Sequence, residues 1–410
     1  MNKIRIENIK ANRNTDENFF VFDEDRYNST YLSALFVINK DNRISKEALG
    51  LTSVLLSFSS FANGGSSSSF HKINFDFDEG YNKYLLQCSI LEPLDKKAFT
   101  DARLKMGRKL MRTLTAGWSK RDRDLNRAIE EITYQYAMLD VDPIFQLDRM
   151  MQLNYFPDLP LGRYPYGNLE KIKKVNHMDI ELAIQHLIES SRMAAYVGNI
   201  NYRFVLAARN TIKPSSKIFP FEPKMQVLPR GTNLEVKNDK ISGNYIGFAF
   251  NLSKVHSEKV KLCHDILLSM LFNKYNGVML DYLLDNDMTI IDTKIFLPSS
   301  CFSVYLSSSK PIDSKFIEEF ENRISQFYKA DIEINLYNIK RSIESNLYKG
   351  FDTPQELVNN IYEGRLSGFD YSADVLNSKL ESIDVEDFVA YLKKINLVGS
   401  IKLEGQLDEK

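Results

Sequence analysis

Phe36-Val37-Ile38-Asn39, then Ser45-Lys46-Glu47, then Leu49, Val54, Leu55 and Leu56 form an apolar run ending in a polar turn, a helix start and a helix with an apolar stripe. The chain writes this order a second time. Phe248-Ala249-Phe250-Asn251 is followed by Ser257-Glu258-Lys259 and then by Leu262, Ile266, Leu267 and Leu268. Position 248 stands against 36, 257 against 45 and 267 against 55, a constant offset of 212 without a gap. Ser45 falls on Ser257, Val54 on Ile266, and Leu55-Leu56-Ser57 on Leu267-Leu268-Ser269.

The ends of the two stretches echo each other as well. Val175-Asn176-His177-Met178-Asp179 opens a helix that leads to the strand Ala194-Ala195-Tyr196-Val197-Gly198-Asn199. Ile383-Asp384-Val385-Glu386-Asp387 opens another, leading to Leu397-Val398-Gly399-Ser400-Ile401. Each helix begins with a polar cap and an acidic first turn, and each strand reaches a glycine. Two matches in the same order point to an internal duplication. Between the halves, Pro214, Pro220 and Pro223 lie in Lys213–Pro223, and Pro229-Arg230-Gly231 closes the stretch. Prolines at this density block helix and central strand and make a stiff, extended linker. The predicted division is a first domain over 1–212, a linker over 213–231 and a second domain over 232–410.

Within the first half, Phe19 to Tyr27 and Tyr31 to Asn39 read as paired strands turning at Asn28-Ser29. Gly64 to Ser69 reads as a loop, and Ile73 to Asp78 and Tyr84 to Ile90 as strands, the second ended by Pro93. Helices follow over Lys96–Leu114 and Asp122–Met138, and Asp142-Pro143 is a cap-plus-proline helix start. The second half repeats the order: a strand over Cys301–Leu306, helices over Ile312–Tyr328 and Glu333–Leu347, and a third capped by Asp352-Thr353-Pro354 and running to Tyr362. Strands that pair as neighbours, followed by clustered helices, predict an α+β class with two similar domains, each an antiparallel sheet with helices packed on one side.

The 410 residues exceed one ordinary core. Hydrophobic residues at 43% and charged ones at 26% give the balance of a globular protein, and a formal net charge of −1 offers no electrostatic case for nucleic acid or a membrane surface. No apolar run has the length of a membrane span, and the start Met1-Asn2-Lys3-Ile4-Arg5 has no apolar segment behind it. Cys88, Cys263 and Cys301 are odd in number and far apart, which fits a reducing cytoplasm rather than a disulfide framework or a paired-cysteine zinc site. His177 and His186 stand nine apart and His256 and His264 eight, so neither pair has the i, i+4 spacing of a helical zinc motif, and His71 is isolated. No lysine makes a P-loop of Gly64-Gly65, and no serine sits in a nucleophile-elbow frame.

Asp140-Val141-Asp142-Pro143, Tyr155-Phe156, Tyr164-Pro165-Tyr166-Gly167, Leu169 to Val175 and Tyr196-Val197-Gly198-Asn199-Ile200 follow one another in a set order. This series resembles the pitrilysin-like zinc metallopeptidases, the inverzincins, and most of all their short two-domain bacterial members. The resemblance runs from about Phe19 to Lys402. It implies two similar α+β domains enclosing a chamber, in which peptides bind by adding a strand to a sheet edge.

Active members of that family carry H-x-x-E-H on a first-domain helix, where two histidines bind zinc and the glutamate is the general base. Aligned on Gly50-Leu51, the histidine slots hold Ser53 and Ser57 and the base slot holds Leu56. Asp122, between Arg121 and Arg123, is the nearest counterpart of the third ligand. The family's C-terminal arginine and tyrosine fall on Leu284 and Ile291, with Tyr282 relevant only if the alignment shifts. The resemblance therefore implies no catalytic residue, no metal ligand and no cofactor in this chain, with zinc carried by a partner. The expected role is a non-catalytic subunit in a heterodimer with a zinc-bearing homologue, closing the chamber on a precursor or leader peptide, as in bacteriocin or modified-peptide maturation. The alternative is a peptide-binding scaffold that works without a peptidase partner.

Overall fold

The computed structural model describes residues 18–23, 29–38, 44–64, 71–78, 83–91, 96–116, 120–157, 162–198, 201–218, 233–252, 257–273, 277–296, 301–325, 329–349, 352–370 and 372–406. Two five-stranded sheets organise these residues. The first takes β1 (Phe19–Asp23), β2 (Ser29–Val37), β3 (His71–Asp78), β4 (Lys83–Leu91) and β5 (Ser191–Gly198), in the order β1-β5-β2-β4-β3. The second takes β6 (Leu234–Ser242), β7 (Asn244–Asn251), β8 (Met288–Phe296), β9 (Cys301–Ser308) and β10 (Asn396–Gln406), in the order β6-β10-β7-β9-β8. Advancing every strand by five converts one order into the other, as a duplication requires.

The helices of the first half are α1 (Lys46–Gly64), α2 (Lys96–Ala116), α3 (Asp122–Asp140), α4 (Pro143–Asn154), α5 (Leu169–Ile172), α6 (His177–Glu189) and α7 (Tyr202–Ile212). Those of the second are α8 (Glu258–Leu271), α9 (Leu280–Asp285), α10 (Ser314–Ser325), α11 (Lys329–Lys349), α12 (Pro354–Ser367), α13 (Ala373–Glu381) and α14 (Val385–Leu392). The duplication extends to the caps. Ser45 Oγ accepts from Ala48 N at 3.0 Å, and Ser257 Oγ from Val260 N at 3.3 Å, one repeat later. Reciprocal capping boxes open α6 with Asn176 and Asp179, and α14 with Asp384 and Asp387.

Two expectations change. Residues 19–23 do not pair with β2: β1 lies parallel to β5, which separates it from β2. Residues 30–38 are buried throughout, so β2 takes an interior position with antiparallel neighbours, β4 and β5, on both sides. β10 likewise pairs parallel with β6, so each sheet is antiparallel except for one edge pair. Such a pair needs a long crossover, which the chain supplies because β1 and β5 come from opposite ends of the first half. The predicted loop residues 65–69, the linker residues 219–231 and Pro93 lie outside the described residues.

The chain divides into two compact units that are not continuous in sequence. One is 1–135, 164–221 and 352–366, and the other is 136–163, 222–351 and 367–410. In the second unit, one face of the sheet carries Ile246, Phe248 and Phe250 against α8, α10, α11 and α14, with Phe248 stacked on Phe320 at 4.1 Å. The opposite face, with Ala249, Cys301 and Tyr305, receives Leu147, Met151, Tyr155 and Phe156 from α4 and its C-terminal end. Gly247 and Gly399 leave the room: a Cβ would stand 2.4 Å from Met151 Cε at the first and 2.4 Å from Tyr155 Cζ at the second. In the first unit α12 plays the matching part. Buried Ser33 Oγ donates to Tyr362 Oη at 3.0 Å, Tyr362 Oη donates to Ser33 O at 3.1 Å, and the Tyr362 ring meets Phe20 edge-on. Each unit thus takes one helix from across the linker for the second face of its sheet. Asp142 caps the first of these helices, and Thr353 Oγ1 the second.

Candidate functional site

Helix α1 carries the slots that the resemblance assigns to chemistry, and it is locked against the Tyr164–Asn168 segment. Lys46 Nζ donates to Tyr164 O at 3.0 Å, and Asn168 N donates to Glu47 Oε1 at 3.1 Å. At Gly50 a Cβ would meet Tyr166 Cα at 2.7 Å, so only glycine admits this contact. Gly167 has φ +93°, and the Glu47 carboxylate fills the space its side chain would need. The structure therefore brings together Gly50-Leu51 and Tyr164-Pro165-Tyr166-Gly167, which the sequence shows only as separate motifs. Burial, aided by the charge of Glu131, pushes the Tyr166 phenol above its ordinary value.

In this setting Ser53 Oγ donates to Gly50 O at 2.6 Å, and Ser57 Oγ to Val54 O at 2.8 Å. Both hydroxyls are turned back onto their own helix, the local bonding habit of serine in a helix interior. Leu56 is fully buried beside Leu51, Val54 and Leu55. An aliphatic side chain here fills volume and takes up no proton. Asp122 is not drawn toward these positions. It stands exposed at the start of α3, with Oδ1 2.9 Å from His177 Nε2 at the start of α6. His264 is a core residue whose ring lies 5.4 Å from that of Tyr391. His256 and the side chain of His71 lie outside the described residues. Among the described residues no three His, Cys, Asp or Glu side chains converge.

The slots of the C-terminal arginine and tyrosine are both aliphatic, on α9 and β8. Leu284 is 58% exposed, and Ile291 packs on the α4 side of the sheet. Tyr282 is buried, stacked on Phe316 at 5.8 Å with Arg323 4.4 Å above its ring, and burial lifts its phenol to about 12.

One polar cluster has no counterpart in the sequence reading. Buried Asp148 of α4 accepts from Tyr305 Oη and pairs with Lys294 Nζ at 2.7 Å. Burial raises the Asp148 carboxyl while Lys294 and Tyr305 pull it down, and Tyr305 is pushed well above the ordinary phenol value by burial and by Asp148. The available signal was an aspartate between Phe145, Leu147 and Met151, on a helix face otherwise built for a core. Its geometry ties α4 to β8 and β9.

No protein-family model and no curated protein sequence matches the chain. Solved structures do. A conserved protein from Enterococcus faecalis V583 superposes with a TM-score of 0.74 at 10% identity, covering 96% of this chain and 97% of that one. A protease from Helicobacter pylori gives 0.70 at 11% identity over 95% and 98%. A peptidase M16 inactive domain from Pseudomonas fluorescens gives 0.67 at 12% identity over 96% of each chain. The fold is that of the M16-like peptidases. The likeness runs over nearly the whole chain, and among the described residues no helix is long and apolar enough to cross a membrane.

Proposed function

We propose that this chain is a catalytically silent peptidase homologue that pairs with a zinc-bearing homologue and helps hold a precursor or leader peptide. The observation that carries the reading is on α1. The fold is M16-like and α1 is held by the close Gly50–Tyr166 contact, while the ligand and base slots hold two serines bonded to their own helix and a buried leucine. Serine is a poor zinc ligand, and leucine cannot activate water. The fold without its reactive groups is what a chamber-closing subunit needs. Peptide backbone has a place to bind: β3 is an edge strand packed beside α1, and β8 is the corresponding edge of the second sheet. The setting we assign is the cytoplasm, where Cys263 and Cys301 remain buried thiols. Maturation of a bacteriocin or modified peptide suits such a pair.

The test is reconstitution. The purified chain alone leaves a panel of leader peptides intact, and addition of a zinc-bearing homologue from the same genome starts cleavage that the homologue alone does not perform. Equal cleavage by the homologue alone overturns the proposal.

A further inference from the structure

The second unit contains a cavity of about 460 Å³ on the helical side of its sheet, between α11 and the α13–α14 corner. Its volume lies in the range of small-ligand sites. Leu336, Leu380 and Val385 form an apolar floor. Around that floor stand four carboxylates, Glu333, Glu344, Glu381 and Asp384, and two cations, Lys340 and Arg341. Both cations have local partners. Lys340 Nζ donates to Glu381 O and Ile383 O, each at 2.9 Å, and so closes the C-terminal end of α13. The Arg341 guanidinium lies 5.7 Å from the centre of the Tyr337 ring. Asp384 Oδ1 accepts from Asp387 N as the cap of α14, and Lys340 stands close enough to Glu381 and Asp384 to feel both charges, so the carboxylates of the rim that neither cap a helix nor face Lys340 are Glu333 and Glu344. The rim is thus left with an excess of negative charge above an apolar base. Tyr337, 65% exposed, adds an aromatic face at the mouth.

We propose that this cavity binds a peptide segment in which basic and aliphatic side chains alternate, the aliphatic groups on the Leu336–Leu380–Val385 floor and the basic ones against the carboxylate rim. The occupant is argued from charge and shape together: an acidic peptide meets four like charges, and a wholly apolar one leaves those carboxylates facing its backbone. The cavity lies in the second unit, whereas the vacated zinc slots lie in the first. It is therefore a separate holding point on the polypeptide. The inference rests on the reading of the chain as a peptide-binding homologue and names the class of peptide.

The experiment uses the full chain without any partner and without a cleavage readout. A short synthetic peptide of alternating leucine and arginine, labelled with a fluorophore, is titrated by anisotropy beside its leucine–glutamate counterpart. The leucine–arginine peptide binds and weakens with added salt, and the glutamate peptide does not bind. Glu333→Gln with Glu344→Gln weakens binding by about two- to fivefold per carboxylate. Hydrogen-exchange protection on the unsubstituted protein, which does not depend on the variant folding, falls on 329–349 and 373–392. Equal binding of both peptides, unchanged binding by the folded double variant, or protection elsewhere overturns the proposal. Failure of reconstituted cleavage with this binding intact would count against the partner reading alone.

Discussion

Gly399→Ala probes how α4 is seated on the second sheet, and its cost can be worked from the structure. A Cβ at this position stands 2.4 Å from Tyr155 Cζ, 2.5 Å from its hydroxyl and 2.7 Å from Cε1. Carbon atoms in contact rest at about 3.5–4.0 Å, so the ring must retreat by about 1 Å. Tyr155 is 1% exposed and has no free space to enter, and retreat draws its hydroxyl away from Ser400 O, now at 3.0 Å. Overpacking costs about 1–3 kcal/mol, and the lost hydrogen bond about 0.5–1.5 kcal/mol. The sum is roughly 2–4 kcal/mol. Tyr155→Leu alone opens a cavity and costs about 2–4 kcal/mol. In that background the methyl of Gly399→Ala enters vacated space, so the double variant loses less than the sum by about 1.5–3 kcal/mol. Urea denaturation followed by far-UV circular dichroism, with the transition of the second unit fitted separately, gives the four stabilities. A Gly399→Ala cost below about 0.5 kcal/mol, or one equal in both backgrounds, refutes this docking.

Other substitutions probe the remaining parts. Tyr305→Phe removes one donor from buried Asp148 and should cost about 1.5–3 kcal/mol in the same denaturation assay, the range for a hydrogen bond to a charged group. Burial holds the folded Asp148 carboxyl above its ordinary value of 3.8. Its contribution to stability is full below that value and is lost as pH rises through the folded pKa. Asp148→Asn should therefore flatten the wild-type decline in stability from about pH 4 upward, measured as the difference between the two denaturation profiles. Leu56→Glu puts a carboxyl where the side chain is fully buried and should destabilise the first unit by several kcal/mol at neutral pH, read from the melting temperature.

The caps and the repeat were legible from sequence because they are local. Ser45, Ser257, Asn176 and Asp384 act within one helical turn, and a period of 212 positions shows without any knowledge of contacts. Strand order was less legible. The run over 19–23 looks like a hairpin partner of β2, but β5, far along the chain, takes the place between them. The exchange of α4 and α12 was also hidden, since nothing local tells a helix which sheet it covers. For α4 the pairing of Gly247 with Met151 and of Gly399 with Tyr155 decides it, across roughly 100 and 240 positions, and for α12 the hydrogen bonds between Ser33 and Tyr362 do. The same separation concealed Asp148, Lys294 and Tyr305. The vacated slots were readable from Gly50-Leu51 alone, but the way Ser53 and Ser57 spend their hydroxyls required coordinates.

The most direct measurement is zinc stoichiometry by native mass spectrometry of the purified chain after equilibration with the metal, run beside a peptide-hydrolysis assay with and without chelator. The account predicts no tightly held zinc and no hydrolysis in either condition. One zinc per chain, together with cleavage that the chelator stops, contradicts it.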